Sequence, residues 1–149
     1  MEKRRGRKTD LTKWNISHKM KERNRKGICP MRRYEVIFYE TQSGQQPAKE
    51  FLLSLPPKMR AKMLRTIEIV GENGPDLREP YSKALEDGIF ELRAKVGSDI
   101  SRVLYFFYVG KRIVLTNGFV KKKQKTPENE KRLAKKYRED FLRREENPS

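Results

Sequence analysis

Apolar positions recur along this chain with two different periods, and the switches between them outline its elements. The run from Arg32 to Tyr39 is rich in β-branched and aromatic residues and predicts a strand. Gln42-Ser43-Gly44 breaks it. Pro47 suits the first turn of a short helix whose apolar side is Phe51, Leu52 and Leu55. Pro56-Pro57 opens a second helix. There Met59, Met63, Ile67 and Val70 recur at helical spacing along one face, and Gly71 and Gly74-Pro75 end the run. A methionine stripe of this kind reads as core.

The second half reads as sheet. Gly88 precedes a run from Ile89 to Lys95 that alternates strictly. Phe90, Leu92 and Ala94 face one way, and Glu91, Arg93 and Lys95 the other. Gly97-Ser98-Asp99 turns the chain. Ile100 to Val109 is nearly all apolar and reads as a central strand, with Arg102 near its start. Gly110-Lys111-Arg112 makes a hairpin, and Ile113 to Val120 returns. Thr126 is placed to cap a last helix, with Pro127 in its first turn and Glu128 and Glu130 at its positive end. Leu133, Tyr137 and Phe141 mark its packing face. The order β, α, α, three or four β, α predicts an α+β domain, most simply an antiparallel sheet covered by helices on one side.

Length and charge divide the chain. Its 149 residues suit one compact domain, here residues 31–149. Residues 1–30 carry 11 basic and 3 acidic side chains, half of the net +16. The block Lys3-Arg4-Arg5-Gly6-Arg7-Lys8 has no apolar period, so residues 1–30 read as a basic, disordered extension. The alternative is an RNA-anchoring arm. A surplus this large calls for a polyanionic partner. The single cysteine, Cys29, excludes an internal disulfide and fits a reducing cytoplasm. No apolar run is long enough for a membrane helix, and no secretory signal is expected.

Candidate chemistry follows by exclusion. From Met31 onward there is no histidine and no cysteine, so no paired serine or cysteine nucleophile can form. No phosphate-loop or dinucleotide motif is present, and neither metal nor cofactor is called for. What remains is a set of cations with one carboxylate: Lys83, Glu91, Arg93, Lys95, Arg102, Lys121, Lys122, Lys123 and Lys125. RNA brings its own nucleophile, the 2′-hydroxyl. A protein that cuts it needs positioning, a proton acceptor, and cations for the charge building on the phosphate. Glu91 is the only acid within the strand pattern and so the candidate acceptor; the competing reading is an exposed ion pair with Arg93. Arg102, in an apolar strand, needs a partner, and Glu91 would satisfy it. The lysine run 121–125 reads either as a solvated face or as a phosphate site between a strand end and a helix start.

Three stretches carry a resemblance: Gly88-Ile89-Phe90-Glu91-Leu92-Arg93, Arg102-Val103-Leu104-Tyr105-Phe106-Phe107, and Gly118-Phe119-Val120-Lys121-Lys122-Lys123-Gln124-Lys125-Thr126-Pro127. The chain from about Tyr34 to Arg144 resembles the phage-derived, HigB-like branch of the RelE/ParE toxin superfamily. The resemblance implies a curved antiparallel sheet with two N-terminal helices packed on one side and a C-terminal helix. It implies a type II toxin–antitoxin toxin that enters the ribosomal A site, cuts messenger RNA, and is held inactive by a cognate antitoxin, a helix-turn-helix protein encoded nearby. By motif, Arg102 resembles the arginine that contacts the scissile phosphate. Lys121 and Lys122 resemble the basic residues that hold RNA or aid the leaving group. Lys83, Arg93, Lys95, Lys123 and Lys125 would bind RNA. Glu91 stands where some relatives carry a basic residue, which leaves its role open between base and structural partner. Other readings stay open: a superfamily toxin that blocks a protein target such as gyrase, a plain nucleic-acid-binding protein, and a metal-dependent DNA nuclease using Asp87 and Glu91.

Overall fold

A computed structural model describes residues 34–121 and 125–147. The extension over residues 1–30, the residues Lys122 and Lys123, and the side chain of Lys121 lie outside that description.

The elements run β1 (Glu35–Phe38), α1 (Pro47–Ser54), α2 (Pro57–Asn73), β2 (Ser82–Ala84), β3 (Phe90–Val96), β4 (Asp99–Tyr108), β5 (Arg112–Lys121) and α3 (Glu128–Glu146). The strands form one sheet in the order β1-β5-β4-β3-β2. The α+β architecture is as expected, but the sheet is mixed. β2 to β5 pair antiparallel, while β1 lies parallel to β5. Two helices separate β1 from the other strands, and that length of chain permits the parallel return. β2 was not foreseen: three residues are too few to show a period.

Helices cover both faces of the sheet rather than one. On the first face Leu92, Ala94, Val103, Tyr105, Ile113 and Leu115 meet Leu52 of α1 and the stripe Met59, Met63, Ile67 and Val70 of α2. The methionines are core. Gly71 is buried inside α2 rather than ending it; Gly74, at φ +58°, does so. On the second face Leu104, Phe106 and Val114 meet Ala134, Tyr137 and Phe141 of α3. The reason lies in β4, whose apolar residues point both ways and demand cover on both sides.

A β-bulge sets the phase of β5. Leu104 pairs with Asn117 and Tyr105 with Leu115, so Thr116 has no partner across the ladder. Its hydroxyl lies 3.1 Å from the Leu104 carbonyl and 2.7 Å from Asn117 Oδ1, so its one proton serves these two acceptors between them. Ile113 and Leu115 therefore face α1 and α2, whereas beyond the bulge Asn117 and Phe119 face the other way.

Gly118 shows why the last strand needs a glycine. A Cβ there would collide with the ring of Phe51 on α1. Gly118→Ala should therefore destabilise the domain by about 1–3 kcal/mol, and thermal denaturation of the two proteins side by side measures it. Adding Phe51→Ala should restore little, since it trades a clash for a void.

Candidate active site

Arg93 of β3 pairs directly with Arg102 of β4, and Glu91 pairs with Leu104 on β4 and Lys83 on β2. Residues opposite one another share a face. Lys83, Glu91, Arg93 and Arg102 thus stand on the α3 side of the sheet. Pairing continues from Arg102 to Phe119, and from Ile100 to position 121.

At the centre is a buried carboxylate clamp. Glu91 is 0% exposed and Arg102 3%. Arg102 Nη1 donates to Glu91 Oε2 at 2.7 Å, and Arg93 Nε donates to the same oxygen at 2.8 Å. The Thr126 hydroxyl donates to Glu91 Oε1. Two guanidinium groups therefore share one carboxylate in a poorly solvated place. Desolvation and the neighbouring Arg93 charge pull the Arg102 pKa down, against the opposing pull of Glu91. An arginine remains a cation there.

The expectation of an exposed ion pair between Glu91 and Arg93 gives way: the carboxylate is enclosed, and Arg93 alone reaches solvent, with 24% of its side chain exposed. Thr126 was expected to cap α3. The helix instead starts at Glu128 with Pro127 at its cap and no side-chain cap bond, and Thr126 is committed to Glu91. Nothing local in the sequence signals this contact, because the partners lie 35 residues apart.

Polar contacts fix where α3 begins. Asn117 Nδ2 donates to Glu130 Oε1 at 3.0 Å. Lys131 Nζ reaches Glu86 at 3.1 Å and Glu128 at 2.7 Å, and Lys135 reaches Glu86 at 2.5 Å. These hydrogen bonds hold the Glu86 carboxyl below its ordinary pKa and raise that of Lys131. Beside the clamp, a recess of about 150 Å³ is lined by Lys83, Leu85, Glu86, Lys125, Thr126 and Lys131. Lys83 and Lys125 are exposed at its rim. Lys95 lies two residues beyond Arg93, exposed. Glu91, Arg93 and Arg102 are brought together; Lys83 and Lys125 flank them; Lys121 is placed only by its backbone register.

Asp87, the other carboxylate weighed for metal chemistry, pairs with Lys135 at 2.8 Å, so it and Glu91 are committed to different partners. Among the described residues no group of three histidine, cysteine, aspartate or glutamate side chains is placed to hold a metal ion. Among them, too, no helix is long and apolar enough to cross a membrane.

The family described as "Phage derived protein Gp49-like (DUF891)" matches residues 50–139, more than half of the chain. The chain belongs to this family. The Gp49-like family is a RelE/HigB-type toxin family, and the matched region holds Glu91, Arg93, Arg102 and Thr126. The chain is also similar to one in the crystal structure of the archaeal RelE–RelB complex from Pyrococcus horikoshii OT3. That similarity has 21% identity and a TM-score of 0.42, and covers 62% of this chain and 99% of the other. No curated protein matches the chain significantly.

Proposed function

We propose that this Gp49-like protein is the toxin of a type II toxin–antitoxin system, a ribosome-dependent endoribonuclease that cuts messenger RNA by attack of the RNA's own 2′-hydroxyl. The observation that carries the reading is the arginine pair Arg93 and Arg102 held on one buried carboxylate, with Lys83 and Lys125 at its edge. Fixed guanidinium groups suit a phosphate on which charge builds, because their hydrogen-bonding geometry is set before the reaction begins.

In the proposed reaction the 2′-hydroxyl gives up its proton as its oxygen attacks phosphorus, the bond to the 5′-oxygen breaks, and that oxygen takes up a proton, so none is gained or lost overall. The products are a 2′,3′-cyclic phosphate and a 5′-hydroxyl. Arg102 meets the scissile phosphate; because so little of it is exposed, the RNA must displace what packs over it. Arg93 assists from its exposed edge. Lys121 and Lys122 hold RNA or aid the leaving group. Both oxygens of Glu91 already accept hydrogen bonds, which favours a positioning role over that of proton acceptor. The messenger would be reached in the ribosomal A site, and a cognate antitoxin would hold the toxin inactive.

Purified protein added to a translating extract should give cuts in phase with codons, ending in cyclic phosphates. Intact messenger at doses that stop translation would refute the nuclease. DNA breaks with intact messenger in cells would point instead to a protein target such as gyrase.

A further inference from the structure

We infer that a second recess, on the free edge of β3, is a pocket for one unpaired base of single-stranded RNA, next to the phosphate held at Arg93 and Arg102. The inference rests on the RNA-acting reading above and adds which part of the RNA is read.

The recess exists because β2 is short. Its pairing with β3 runs only from Ala84↔Phe90 to Ser82↔Leu92, so no described strand pairs with Arg93–Val96 on that side. The Arg93 N–H points to this edge and donates to the Tyr81 carbonyl at 2.9 Å. By the two-residue period of a strand, the N–H and C=O of Lys95 point the same way. They offer one donor and one acceptor side by side, which suits the hydrogen-bonding edge of a base.

The walls suit a nucleotide as well. A space of about 400 Å³ is lined by Lys62 and Thr66 of α2, Pro80 and Tyr81 before β2, and Arg93 and Lys95 of β3. Tyr81 is a large aromatic side chain left 44% exposed. Aromatic rings at the surface of basic clefts stack bases regardless of sequence, and neighbouring polar groups add preference. Lys62 and Lys95 are exposed and can meet the flanking phosphates. One carboxylate opposes them: Glu79 lies 3.9 Å from Arg93 Nη1 and is itself exposed.

Arg93 joins the two sites. Arg93 lines this recess, and its Nε holds Glu91, the carboxylate shared with Arg102. A base on Tyr81 would thus lie beside a residue of the clamp. The cations around the edge favour a polyanion over an added polypeptide strand, for which so short an edge, with the Arg93 N–H already bonded to Tyr81, is a poor template.

The test uses the full chain and short fluorescent RNAs, 2′-O-methylated so that they cannot be cut. One set carries A, C, G or U at a single position, and one member lacks the base there. Anisotropy should show that wild type prefers certain bases and binds the abasic RNA about tenfold or more weakly. Tyr81→Ala should lose that discrimination and bind all of them at the abasic level; Tyr81→Phe should keep it. Lys62→Ala should weaken every RNA alike. Discrimination unchanged in Tyr81→Ala overturns the pocket. So does a wild type that ignores these RNAs but captures an extended peptide through the Tyr81 edge. If the extract shows no cuts while Tyr81-dependent base discrimination persists, the nuclease reading falls and the pocket stands. If cuts appear and their base preference is the same in Tyr81→Ala, the pocket falls and the nuclease stands.

Discussion

Arg102→Ala should abolish messenger cleavage, cutting the rate in a translating extract by about 100-fold or more, the usual cost of losing a fixed group that stabilises transition-state charge. The fold should survive. Glu91 keeps its hydrogen bonds from Arg93 and Thr126, so its charge is not stranded in the interior. Affinity for RNA should fall only modestly, since Lys83, Lys95 and Lys125 remain at the surface. Arg102→Lys should rescue little: an ammonium cannot reproduce the guanidinium fork or its bond to Glu91. Cleavage by Arg102→Ala near the wild-type rate would remove it from the reaction. A loss that merely follows the melting temperature, and that stabilising conditions reverse, would reduce it to a structural role.

Glu91→Ala should give the largest loss of stability. It removes the carboxylate that the buried Arg102 shares with its neighbour Arg93. Breaking a buried pair in this way costs about 3–5 kcal/mol. For a domain of this size that lowers the melting temperature by about 10 °C or more. Glu91→Gln keeps the shape and can still accept from Thr126, so its loss should be smaller. The glutamine variant also separates the two roles open to Glu91. If it positions Arg102, the glutamine protein keeps the wild-type pH profile at a reduced rate. If it takes the 2′-hydroxyl proton, cleavage by the glutamine protein falls far more than its loss of stability accounts for.

Much of the fold was legible because the apolar periods are strong and local. The stripe on α2 and the alternation in β3 correctly named core residues, and alternation alone put Glu91 and Arg93 on one face. The cover on both faces was hidden because a nearly all-apolar strand such as β4 states that it is buried without saying by what. β2 was hidden because its three residues are held by pairing, not by pattern. At the site, a partner for Arg102 could be demanded from the cost of burying a charge, and Glu91 was the natural acid. Thr126 could not be found that way: a threonine before a proline and two glutamates looks like a helix cap, and only the chain's return across the sheet brings it to Glu91. Tyr81 was invisible as well, since an isolated aromatic in a proline-flanked turn has no period to betray it.

The bulge at Thr116 gives β5 something like a reading frame. Residues before it are in phase with the core under α1 and α2; Asn117, Phe119 and position 121 are in phase with Arg102. Loss of one residue between Leu115 and Lys121 would shift that frame. The lysine-rich end of the strand would then fall out of step with Arg102 even with every lysine still present. The Val109–Lys111 turn obeys no such rule, because length gained there is spent in solvent before the strand begins. Along the same ten-residue strand, one end tolerates changes in length while the other transmits each of them to the face that carries Arg102.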